Sequence, residues 1–84
     1  MTSSRFQRAI HVTRHASARM LERDIDEALL LDLIETGTVR YRDGSHGWIH
    51  KAYAGRDDNL LCVAVVLESV LVVKTVMHHF DVEV

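Results

Sequence analysis

The stretch Thr13-Arg14-His15-Ala16-Ser17-Ala18-Arg19-Met20-Leu21-Glu22-Arg23-Asp24-Ile25-Asp26-Glu27-Ala28-Leu29-Leu30-Leu31-Asp32-Leu33-Ile34-Glu35-Thr36-Gly37 decides the fold, because it reads as two short helices and everything after it reads as strand and turn. The Thr13 hydroxyl suits an N-cap, since it can accept the orphan backbone N–H groups of a first turn, and the helix it opens is expected from Arg14 to about Arg23. No glycine or proline interrupts that run, and Ala16, Met20 and Leu21 supply its apolar side. Asp24-Ile25-Asp26 breaks the pattern. Asp26 then caps a second helix, Glu27 to Glu35, in which Leu29, Leu30, Leu33 and Ile34 share one arc while Asp32 and Glu35 lie outside it. Gly37 is expected to end this helix in the left-handed conformation.

Outward from the helices the period changes to two. Phe6 to Val12 alternates Phe6, Arg8, Ile10 and Val12 against Gln7, Ala9 and His11, as a leading strand does. After Gly37 come a short strand from Val39 to Arg42, a turn over Asp43-Gly44-Ser45-His46-Gly47, and a strand from Trp48 to Ala54. A second turn, Gly55-Arg56-Asp57-Asp58-Asn59, precedes the apolar strand Leu60 to Leu67; Glu68-Ser69 leads into Val70 to His78. The last two strands are rich in valine and nearly continuous in apolar character, which places them centrally with both faces partly covered. In the last strand, plain alternation groups Val70, Val72, Lys74, Val76 and His78 against Leu71, Val73, Thr75, Met77 and His79. The fold class is α+β, a strand and two helices followed by a curved antiparallel sheet of three to four strands, in one domain over residues 1–84 with residues 1–5 expected to be frayed.

Composition bounds the function. The chain has 84 residues, 48% of them apolar, with no proline and one cysteine. So small a chain puts nearly every apolar run into one core and leaves little room for a buried cofactor, so none is expected. Cys62 lies inside the run Leu60 to Leu67 and reads as an inert core thiol. The start of the chain lacks the apolar stretch of a signal peptide and no run is long enough to span a bilayer, so a cytoplasmic location away from membranes is expected. The six histidines lack chelating spacing, and no metal site is expected.

The formal charge of −2 conceals blocks of opposite sign. Arg5, Arg8, Arg14, Arg19 and Arg23 stand against Glu22 and Asp24, and Arg40, Arg42, Lys51 and Arg56 against Asp43, each a local excess of positive charge. Asp26, Glu27, Asp32 and Glu35 form an acidic block between them, and the end of the chain is acidic again. The cations are mostly arginine, whose planar fork suits bidentate phosphate binding. On the first helix His15, Arg19 and Arg23 recur every four residues and form one stripe, in which three groups able to bind an anion or take up a proton face the same way. The plain alternative is that Arg19 pairs with Glu22 and the stripe is a solvated face.

Val12-Thr13-Arg14-His15-Ala16, followed by Arg19-Met20 and Arg23-Asp24-Ile25, resembles the opening of a small bacterial domain-of-unknown-function family, number 4258. Its members tend to show a Thr-x-His-Ala turn, an arginine four residues later and an Arg-Gly-Ile step before a second amphipathic helix. Here Asp24 stands where glycine is usual, so a different turn between the helices is expected. The resemblance covers roughly residues 10–79, including Lys74-Thr75-Val76, and its N-terminal motif is more specific than its strand region. It implies a fold similar to the RelE and ParE toxins, several relatives of which are ribonucleases that use no metal. On that implication the chain is a toxin-type domain acting on RNA, with an antitoxin protein as partner. His15 is then the base or acid, Arg19 and Arg23 are phosphate ligands, and Lys74 or His78 is the complementary group. Tyr53 and Arg56 are candidates for stacking on a base or binding a phosphate. The alternative is a noncatalytic protein-binding module or homodimer, which the separation of charge into blocks favours.

Overall fold

The computed structural model describes residues 1–53 and 60–77. Its elements run β1 (Thr2–Ser3), β2 (Arg8–Val12), α1 (Arg14–Glu22), α2 (Glu27–Thr36), β3 (Thr38–Tyr41), β4 (His46–Ala52), β5 (Leu60–Leu67) and β6 (Leu71–Met77). The strands form one curled sheet in the order β1-β2-β6-β5-β4-β3. The α+β class and the sequence of strand, two helices and strands stand, but the sheet has six strands where three to four were expected. It is also mixed, because β2 lies parallel to β6 while every other neighbouring pair is antiparallel. The valine-rich β5 and β6 are central, as their continuous apolar character requires.

Both helices cover the same face. Ala16 and Met20 of α1, Ile25 between the helices, and Leu30, Leu33 and Ile34 of α2 bury against Ile10, Ile49, Leu61, Val63, Val65, Leu71, Val73 and Val76. Leu21 departs from the expected apolar side of α1 and is 86% exposed, since one turn of α1 needs only Ala16 and Met20 to meet the sheet. Cys62 is fully buried, and desolvation pushes its thiol pKa up to about 12, in keeping with an inert side chain.

The junction between the helices is a Schellman turn. Asp24 takes a φ of +54°, Ile25 N–H donates to the Met20 carbonyl at 2.9 Å, and Asp24 N–H donates to that of Leu21 at 3.4 Å. Met20 and Ile25, the apolar pair that accompanies such a turn, both sit in the core. Asp24 thus holds the left-handed backbone that glycine adopts without steric penalty, although it carries a side chain. Gly37 is different. It is extended, with φ −72° and ψ 168°, and not left-handed as expected. A Cβ there would lie 2.5 Å from the Leu33 carbonyl oxygen of its own helix and 2.8 Å from Ile49 Cγ2 of β4, so crowding by α2 and β4, not a left-handed backbone, excludes a side chain.

Two further expectations are corrected. At the start of the chain β1 pairs with β2, Ser3 is fully buried, and the backbone N–H groups of Ser4 and Arg5 donate to Glu35 of α2. The leading strand begins at Arg8 because Gln7, at φ +53°, turns the chain back from β1. In β6 the plain alternation fails at Lys74. Val73 pairs with Val65 and Thr75 with Ala64, so Lys74 is an extra residue, a β-bulge. The bulge lets Leu71, Val73 and Val76 all enter the core and turns the Thr75 hydroxyl to the other face. A buried valine contributes about 1.5–3 kcal/mol, more than the roughly 0.5–1.5 kcal/mol of one ladder hydrogen bond, so the irregular register wins. The expected turn over residues 55–59 lies outside the described residues.

Candidate functional site

Strand direction collects the candidates. Val12 pairs with Val73, Cys62 with Met77 and Ala52 with Leu60, so the carboxyl ends of β2, β4 and β6 lie at one end of the sheet. His15 follows β2, Tyr53 follows β4, and Lys74 lies midway along β6, one residue past Val73, the partner of Val12.

Thr13 joins two of these. Its side-chain oxygen accepts from Ala16 N–H at 3.1 Å, which caps α1, and its hydroxyl donates to the Lys74 carbonyl at 3.1 Å. Its own N–H donates to the Val73 carbonyl at 3.1 Å. The first turn of α1, with exposed Arg14 and His15, is therefore fastened to the bulge that presents exposed Lys74. A cation and an imidazole beside a helix N-terminus can hold an anion and move a proton.

The rest of the stripe runs away from this end. Arg19 is half-exposed and pairs with Glu22 at 3.1 Å, the plain alternative read from the sequence. Arg23 is the half-buried C-cap of α1, eight residues beyond His15 and so about 12 Å along the helix axis. The fold does not gather His15 and Arg23 into one pocket. Arg56 and His78 lie outside the described residues.

Tyr53 is placed in a network that the sequence reading missed. Its hydroxyl donates to Asp32 Oδ2 at 2.5 Å, and Lys51 Nζ donates to the same oxygen at 3.0 Å and to Thr36 Oγ1 at 2.8 Å. The ammonium also stands 5.2 Å from the Tyr53 ring centroid. The hydrogen bond from Tyr53, then that from Lys51, hold the Asp32 carboxyl below the usual carboxylate range. Desolvation and the same hydrogen bond raise the Tyr53 phenol well above its ordinary value. The network ties α2 to β4. Its signal was the period of two, which puts Ile49, Lys51 and Tyr53 on one face, towards the helix whose Asp32 lies off the apolar arc.

At the β3–β4 turn, Asp43 Oδ1 accepts from the N–H groups of Ser45 and His46 at 2.9 and 2.8 Å, and it lies 3.1 Å from His46 Nδ1. The two backbone donors and then the histidine depress its pKa strongly. Ser45 Oγ also meets Nδ1, at 3.1 Å, so the serine and the aspartate compete for one ring nitrogen and no proton relay can run through the ring. Among the described residues no group of three His, Cys, Asp or Glu side chains is placed to hold a metal ion, and no helix is long and apolar enough to cross a membrane.

No curated protein and no solved structure matches the chain. The family model described as "Domain of unknown function (DUF4258)" matches residues 12–78, a span that opens just before the Thr13 cap and closes just after β6, and the chain belongs to that family.

Proposed function

We propose that the protein acts on RNA as a RelE-like, toxin-type endoribonuclease, with its chemistry at the end of the sheet where α1 begins. The observation that supports this reading is the bulge at Lys74, which releases an ammonium to solvent beside the turn that carries His15. RNA supplies its own nucleophile, so cleavage needs a base, a cation and an acid. His15 takes the proton of a 2′-hydroxyl, the 2′-oxygen attacks the adjacent phosphorus, and the bond from phosphorus to the 5′-oxygen breaks. Lys74 offsets the charge gathering on the phosphate, and the leaving oxygen takes a proton from water or from the ammonium. Arg14 and Arg19 lie along α1 where the strand's flanking phosphates would pass.

The test is induced expression in cells with growth, translation and transcript ends measured. Growth arrest with new cleavage ends, abolished by His15→Ala and reduced at least tenfold by Lys74→Ala, is expected. Intact transcripts under a folded wild-type chain overturn the reading. A second reading, a noncatalytic module that docks another protein on α1, draws on Leu21, a large apolar side chain left exposed on that helix. It expects His15→Ala to be silent and Leu21→Asp to abolish association.

A further inference from the structure

The outward crest of α1 is open to solvent. Ala16 and Met20 fix which side of the helix is buried, and Ala18 stands opposite them. Arg14 lies one turn before Ala18 and Glu22 one turn after it, so the crest reads cation, small residue, anion along its length. All three are exposed. Leu21, on the same flank of the crest as Arg14, is 86% exposed, more than any other large apolar side chain among the described residues.

We propose that this crest packs against the same crest of a second copy of the chain, the two α1 helices running antiparallel about a two-fold axis at Ala18. Such a contact is self-complementary. Reversing one helix brings Arg14 of each copy level with Glu22 of the other, which makes two pairs of opposite charge. A parallel alignment would instead set arginine against arginine and glutamate against glutamate, so charge selects the antiparallel one. The helix dipoles select it too. Ala18 adds no bulk at the crossing point and lets the helix axes approach to about 8 Å, the close end of helix packing. Each Leu21 then lies on the methylene stem of the second copy's Arg14. Glu22 already meets Arg19 of its own helix at 3.1 Å, but that exposed pair is worth little, and one carboxylate accepts several donors. A copy of the chain supplies this match by symmetry, whereas an unrelated partner has to carry a cation and an anion at the same spacing. The inference rests on the docking reading of α1 and names its partner. Two nine-residue helices cover less than the about 1,200 Å² of a standard interface, so the dimer is weak and the monomer, with His15 open, prevails in dilute solution.

Sedimentation of the full chain over a concentration series is the test. The wild type is expected to shift from monomer towards dimer as its concentration rises, and added salt to move that shift to higher concentration. Leu21→Asp should weaken association by about tenfold or more, since each dimer loses two buried leucines. Arg14→Glu and Glu22→Arg should each weaken it several-fold. An equal mixture of these two variants should associate at least as tightly as the wild type, because each then offers the other two pairs of opposite charge. All three substitutions fall on exposed positions and should melt as the wild type does, which separates lost contact from lost fold. A wild type that stays monomeric up to about 1 mM overturns the proposal. So does a mixture no more associated than either variant alone, since the dimer then uses another surface. Capture of a different protein that Leu21→Asp abolishes, with the wild type monomeric, keeps the docking reading and removes this inference. RNA cleavage that requires His15, with the charge-swapped mixture still dimeric, overturns the noncatalytic reading and leaves the dimer standing.

Discussion

The two helices use their charges in opposite ways. On α2 the carboxylates are tied to distant parts of the chain: Asp32 takes hydrogen bonds from Lys51 and Tyr53, and Glu35 takes them from Ser3 Oγ and from the N–H groups of Ser4 and Arg5. Arg5 completes the second clamp by donating to the carbonyls of Ile34 at 3.0 Å and Gly37 at 2.6 Å, the C-terminal carbonyls that a helix leaves unpaired. On α1 the outward side chains are placed differently: Arg14 and His15 are exposed, and Arg19 turns to its own helix neighbour Glu22. What fastens α1 is backbone and its cap, through Thr13 to Val73 and Lys74. The acidic helix is a structural strut, and the basic helix keeps its side chains available.

That contrast breaks first if α2 can be moved without loss. Gly37→Ala puts a methyl group into backbone and into Ile49, and because the Leu33 carbonyl belongs to the helix itself it cannot yield. A loss of about 3 kcal/mol, near the upper end for overpacking, is expected in urea unfolding, whereas Gly44→Ala, with open space around it, should change little. Next comes Glu35→Ala, which strips three donors of their acceptor and frees β1. A cost of about 1–3 kcal/mol is expected, with early hydrogen exchange at Ser4 and Arg5 as the local sign. Stability equal to wild type in both variants would remove the strut.

The reach of the sequence follows the same division. Caps and periods are local, so Thr13, Asp26, the bounds of both helices and all of β5 could be read within a residue or so. The clamp at Glu35 was not legible, because its partners lie about thirty residues away and two of the three are backbone groups with no side-chain signature. Lys74 drew notice as a lysine among valines, but the bulge that explains it depends on which neighbour, Thr75 or Val76, the core accepts. Gly37 was assigned to a left-handed turn because that is the local use of glycine after a helix. Its actual reason is crowding by the Leu33 carbonyl of its own helix and by Ile49, and the second of these exists only once α2 has docked on β4. For the candidate site, the fold ties the turn that carries His15 to the backbone of Lys74 through Thr13, a link between residues sixty apart that no local pattern signals, and their chemistry rests on the proposal.

Acid should separate the helices as well. Burial opposes ionisation of Glu35, but the N–H groups of Arg5 and Ser4 and the Ser3 hydroxyl outweigh it, so its carboxyl lies below the usual range, as do those of Asp32 and Asp43. A group whose pKa is lowered on folding contributes stability above its unfolded value and loses it as pH falls through the folded one. Stability should therefore be level down to about pH 5 and fall below about pH 4, where unfolded carboxylates take up protons first. Asp32→Asn and Glu35→Gln should each flatten that fall, and an unchanged acid limb in both would show that the clamps carry no charge dependence.

The smallest effects belong to α1, and they test whether its freedom is real. Asp24→Gly relieves a side chain held at φ +54° in the Schellman turn, where glycine has no steric penalty. It should stabilise by about 0.5–1 kcal/mol, provided the Met20–Ile25 contact is kept, and a loss instead would mean that the aspartate side chain supports the turn. His15→Ala is the last and sharpest case. His15 is exposed on the first turn and the cap is made by Thr13, so its removal should change the unfolding free energy from urea titration by less than about 0.5 kcal/mol. If the same variant abolishes RNA cleavage, the histidine acts on something outside the protein. A large loss of stability would instead make it part of the scaffold, and α1 would then differ from α2 only in the sign of its charges.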